Sequence, residues 1–143
     1  MQKIIDNSTP GGTVLVRIAT DYQSIGPVRF DAFNLGPGCQ VQFERVLMQH
    51  LPPTLDVDGC NCAVTVPPDA IVEASQPFQP CCGIDLYLTE DRRAAIIDLP
   101  GLYRVSLAGT GCASALVTMQ ELPVNYRPRD SEYGCCRPYM SED

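Results

Sequence analysis

The sequence has no tryptophan, one histidine (His50), one lysine (Lys3) and no long apolar run. Each shortage removes a class of function. Nucleophilic catalysis needs a base held against the nucleophile. His50 is the only imidazole, it stands just before Pro52-Pro53, and it reads as a loop or surface residue. No Gly-x-Ser-x-Gly elbow occurs, and no Gly-x-x-x-x-Gly-Lys or Gly-x-Gly-x-x-Gly loop that would cradle phosphates. The carboxylate pair Glu90-Asp91 sits in a charged Glu-Asp-Arg-Arg turn and reads as a solvated loop. The chain is therefore read as a non-enzyme with no catalytic residue.

The other basic residues are arginines, and they form no stripe. Against 17 acidic residues they leave a net charge of −7. That balance excludes direct nucleic-acid binding and repels anionic lipid. No segment approaches the roughly 18–20 apolar residues of a membrane-spanning helix. Near the first residue only Ile4-Ile5 is apolar, too short for a signal peptide. The expectation is synthesis in a reducing cytoplasm with no membrane association. The missing tryptophan also weighs against a carbohydrate- or receptor-binding sandwich, which stays as an alternative.

The 143 residues make about one domain, and 13 prolines with 11 glycines argue for many turns and little helix. Residues 39–47 alternate: Cys39, Val41 and Phe43 one way, Gln40, Gln42 and Glu44 the other. Period two marks a half-buried antiparallel strand. Further strands are expected at 13–20, 28–35, 61–66, 70–74, 83–89, 94–98, 102–107 and 114–121, with Ile84, Leu86 and Leu88 inward in the fifth of these. The last two flank a glycine-containing hairpin loop at 108–113. Only 44–51 suits a helical turn or two. Short strands at this spacing predict an all-β antiparallel sandwich, immunoglobulin-like or jelly-roll-like. The domain is expected over 12–122, with an N-terminal arm at 1–11 and an extended C-terminal arm at 123–143.

The eight cysteines are the chemical candidates. In a reducing compartment they read as buried or surface thiols, with disulfides formed after lysis or export kept as a second reading. Cys60, Cys62, Cys81 and Cys82 are the alternative, a four-thiolate zinc site organising a metal-binding β module. Neither pair has Cys-x-x-Cys spacing, and adjacent strand residues face opposite ways. No cofactor is therefore assigned. Asp56-Val57-Asp58-Gly59-Cys60-Asn61 is too short for a calcium loop and reads as a turn. The C-terminal stretch is different: it holds Tyr126, Arg127, Arg129, Tyr133, Arg137 and Tyr139 with almost no aliphatic residue. Tyrosine and arginine dominate protein–protein hot spots, so these six are the candidate interface residues. Cys135-Cys136 could cross-link subunits in an oxidising medium.

Asp98-Leu99-Pro100-Gly101-Leu102-Tyr103-Arg104-Val105 is similar to the corner before the penultimate strand of immunoglobulin-like domains. There a tyrosine hydroxyl bonds back to the chain, and Tyr103 matches it. Val105 stands where the inter-sheet cysteine would be. The same ending, a Pro-Gly-x-Tyr-Arg corner, a strand, a glycine loop and a strand, resembles small β-sandwich structural proteins of tailed bacteriophages: decoration, connector, tail and fibre-attachment proteins. The resemblance implies a virion component made in the host cytoplasm, with no enzyme site, whose arms clasp other copies of itself and other virion proteins as a homo-oligomer.

Overall fold

The computed structural model describes residues 2–8, 12–21, 23–47, 61–64, 75–77, 87–88, 94–97 and 99–124. They form an all-β sandwich. In chain order the strands are β1 (Gln2–Ile5), β2 (Thr13–Ile18), β3 (Val28–Phe33), β4 (Cys39–Val46) and β5 (Cys62–Val64). Then come β6 (Ser75–Pro77), β7 (Tyr87–Leu88), β8 (Ala94–Ile97), β9 (Gly101–Gly109) and β10 (Leu116–Glu121).

One sheet has the order β1-β10-β3-β8; the other runs β5-β2-β9-β4-β6, with β7 also on β4. All pairings are antiparallel. Gln2 faces Met119, Thr13 faces Ser106, Val28 faces Ile97 and Val41 faces Leu88. These partners are nested about the middle of the chain, as in one long hairpin. The hairpin is then rolled up, so that β10 lies on β3 and β9 on β4. This is the strand order of a jelly roll. The immunoglobulin order is excluded, because it sets the last two strands side by side, whereas β9 and β10 lie in different sheets.

The inner faces follow from period-two patterning. Val28, Phe30 and Ala32 of β3, with Val117 and Met119 of β10, meet Val16 and Ile18 of β2, Tyr103 and Val105 of β9, and Val41 and Phe43 of β4. Phe30 and Phe43 pack edge-to-face, centroids 5.2 Å apart. Such a pair adds about 0.5–1.5 kcal/mol beyond burial. Leu15, Val46 and Leu102 form a second buried cluster, with Val64 against it.

Three local expectations change. Residues 2–5, expected as arm, form edge strand β1. A register shift between Lys3 and Ile5 lets consecutive Ile4 and Ile5 both enter the core, at 7% and 0% exposure. A two-residue apolar run gives no period to read, and the bulge hides it further. Residues 44–46, expected as the start of a helical turn, continue β4 because β9 and β6 pair along it. The 108–113 loop is an arch between sheets, not a hairpin. β6 includes Pro77, tolerated on a sheet edge where no ladder donor is needed. The strand expected at 70–74, and Ile84 and Leu86, lie outside the described residues.

Candidate functional site

The six candidate interface residues, Tyr126, Arg127, Arg129, Tyr133, Arg137 and Tyr139, lie outside the described residues, as do Cys60, Cys81, Cys82 and His50. Cys62 is disulfide-bonded, with its partner outside the described residues. In that state its sulfur is no thiolate and does not ligate a metal as one. Among the described residues no group of three or more His, Cys, Asp or Glu could hold a metal ion.

The thiol reading is corrected at Cys39 and Cys112, which form a disulfide across a sequence separation of 73. Topology makes the bond. Cys39 opens β4 beside Gly109, where β9 ends, and Cys112 lies in the arch that follows. The bond thereby ties the first residue of β4 to the arch that crosses from one sheet to the other.

The disulfide clips together two loops at one end of the sandwich, 34–38 between β3 and β4 and 110–115 between β9 and β10. Gly36 N–H donates to the Gly111 carbonyl (2.9 Å), and Cys39 N–H donates to the Gly36 carbonyl (3.0 Å). The backbones approach so closely that a side chain on Gly109 would collide with the Gly38 carbonyl; Gly109 also has φ +94°, a region L side chains rarely adopt. The exposed residues of these two loops are uncharged. Phe33, Asn34, Pro37 and Gly38 are exposed on one side, and Thr110, Ala113 and Ser114 on the other. Phe33 is 37% exposed, a large apolar side chain left in solvent beside half-buried Leu116, its register partner on β10.

The opposite end is tied by polar groups. Tyr103 Oη donates to the Leu99 carbonyl at 2.6 Å, four residues upstream, so the corner contact expected of this tyrosine is present. Arg45 donates to the Pro100 carbonyl (2.8 Å). Buried Asn61 bridges two segments, accepting from Ala19 N–H (2.7 Å) and donating to the Gly26 carbonyl (2.8 Å). Asp21 accepts from the backbone N–H groups of Gln23, Ser24 and Ile25 at 2.8–2.9 Å. Those bonds, from Ser24 first and then Ile25 and Gln23, hold its carboxyl well below the usual carboxylate range. Leu122 N–H donates to the Pro27 carbonyl (2.8 Å), and the Leu122 and Pro123 carbonyls crowd Gly26.

The outer sheet faces carry paired charge. Arg104 meets Glu44 at 2.9 Å, Arg29 meets Asp31 at 3.1 Å and Lys3 meets Asp6 at 3.1 Å. Sequence reasoning marked the glycines of both loops only as punctuation. The available signal was that 32–43 and 105–120 carry no charged residue. It gained meaning once the register set both runs at one end. Comparison with protein-family models, curated proteins and solved structures finds no match.

Proposed function

We propose that this chain is a structural subunit of a virion, joined through protein–protein contacts to other copies and to other virion proteins on a phage head or tail. The observation that carries the reading is the nested strand order, since jelly rolls serve as viral capsid domains. Fold alone does not assign function, and two independent features support it. Disulfides persist at virion and cell surfaces and are rare in a reducing cytoplasm; Cys39–Cys112 is one, and Cys62 belongs to another. The 125–143 stretch concentrates the tyrosines and arginines that anchor interfaces.

Native mass spectrometry of the full chain, alone and as isolated with its co-purifying chains, tests the reading. Multimers, or defined stoichiometric complexes with other particle proteins, are expected. A chain lacking 125–143 should keep its β circular-dichroism signature and lose assembly. The cut spares Leu122–Val124 because Leu122 and Pro123 pack on Gly26 and Pro27. A full chain that stays monomeric and isolates with no partner refutes the reading. One zinc bound per chain would promote the metal-binding alternative instead.

A further inference from the structure

We infer that Cys39 and Cys112 form a redox clip that closes after the sandwich has folded. Cys112 is the sulfur that exchanges with small thiols and disulfides, and Cys39 is its buried resolving partner. The inference does not depend on the assembly reading above.

Strand register, not the bond, brings the two cysteines together. β4 and β9 pair without a break from Cys39–Gly109 to Arg45–Tyr103. Val41, Phe43, Tyr103 and Val105 of those strands are buried in the main core. That packing holds Cys39 beside the end of β9 whether its sulfur is oxidised or reduced. The arch that carries Cys112 is shaped by backbone contacts that involve no sulfur. Gly36 N–H donates to the Gly111 carbonyl (2.9 Å), and Ala115 N–H donates to the Cys112 carbonyl (3.2 Å).

The two cysteines differ in access. Cys39 is 2% exposed and belongs to the core cluster. Cys112 is partly buried at the edge of that cluster, between exposed Gly111 and Ala113. Thiol–disulfide exchange depends on which sulfur the incoming reagent can reach. A small disulfide such as oxidised glutathione reaches Cys112 first, because the core encloses Cys39. Cys112 Sγ bonds to one glutathione sulfur as the glutathione S–S bond breaks. The first glutathione leaves as a thiol with the Cys112 proton. Cys39 Sγ then attacks Cys112 Sγ, and the second glutathione leaves with the Cys39 proton. Two cysteine thiols lose two electrons, and one glutathione disulfide becomes two thiols. A chain made with free thiols thus gains its bond on entering an oxidising medium, without unfolding.

Reduction of the full wild-type chain with a phosphine, then circular dichroism and timed alkylation with iodoacetamide, tests this. Trypsin places Cys39 and Cys112 in separate peptides, neither with another cysteine. The reduced chain should keep its β signature. Cys112 should alkylate at least about ten-fold faster than Cys39 in native buffer, and the two should react alike in concentrated urea. With glutathione disulfide as the reagent, Cys39→Ala should take up glutathione at Cys112, whereas Cys112→Ala should leave Cys39 unmodified. If a variant fails to fold, the wild-type alkylation carries the test. A reduced chain without its β signature overturns the inference, because the bond would then precede the register. Cys39 reacting as fast as Cys112 in a folded chain overturns it too. Neither result touches the assembly reading.

Discussion

Removing the Cys39–Cys112 disulfide should lower stability by about 3–4 kcal/mol. The bond spans a sequence separation of 73. In the chain-entropy account, cross-linking a loop of that size removes roughly 15 cal/mol/K from the unfolded chain, or about 4.4 kcal/mol at 25 °C. Native strain or residual unfolded-state structure reduces such values, hence the lower range. With an unfolding entropy of about 2.1 cal/mol/K per residue, a chain of 143 residues should lose about 10–13 °C in Tm. The variant to use is Cys39→Ala with Cys112→Ala. Cys39 is buried, and a serine there would strand a hydroxyl. Urea unfolding followed by circular dichroism supplies the assay, after peptide mapping confirms the bond in wild type. The slope m should also rise, because the unlinked unfolded chain exposes more surface. Each single variant should lose about as much as the pair, since either breaks the same bond. A double variant melting within about 2 °C of wild type, with unchanged m, would refute the loop-closure reasoning.

Tyr103→Phe should cost about 0.5–1.5 kcal/mol, because it removes the corner hydrogen bond to the Leu99 carbonyl of an exposed residue; denaturant titration measures it. Gly109→Ala should cost more than the ordinary ~1 kcal/mol of a point change, since the methyl meets the Gly38 carbonyl and φ is +94°; loss of near-ultraviolet signal at this end would accompany it. Asp21→Ala should speed amide exchange at Gln23, Ser24 and Ile25 at neutral pH, with little change elsewhere. The Asp21 carboxyl is more acidic folded than unfolded. Its contribution is therefore present above about pH 4 and fades only as pH falls through the lower, folded value. Amide shifts of the same residues below pH 4 check the sign.

The elements that could be read in advance were those whose signal is local. The alternation of Cys39, Val41 and Phe43 reports one strand face, and all three are buried. Tyr103 was legible because the corner motif is contiguous, and its hydroxyl bonds to Leu99. What escaped depends on distant residues meeting. Nothing local says that β10 turns away from β9 to pair with β3, so the arch read as a hairpin. Cys39 and Cys112 become partners only because β4 and β9 are neighbours with Cys39 opposite Gly109. Ile4 and Ile5 share the core through a bulge, which breaks the period that would have revealed a strand. The end surface combines two unremarkable runs, and only strand register brings them side by side.

The nested pairing also sets a timetable. β1 leaves the ribosome long before its hydrogen-bonding partner β10, with β2 to β9 made in between. Ile4 and Ile5 must stay uncovered by that partner while the intervening strands are made, several seconds at about 5–20 residues per second. Such distant pairing slows folding and leaves a strand edge open to wrong partners in the meantime. The charged Lys3 between Gln2 and Ile4 lies where a gatekeeper against premature strand addition is most useful.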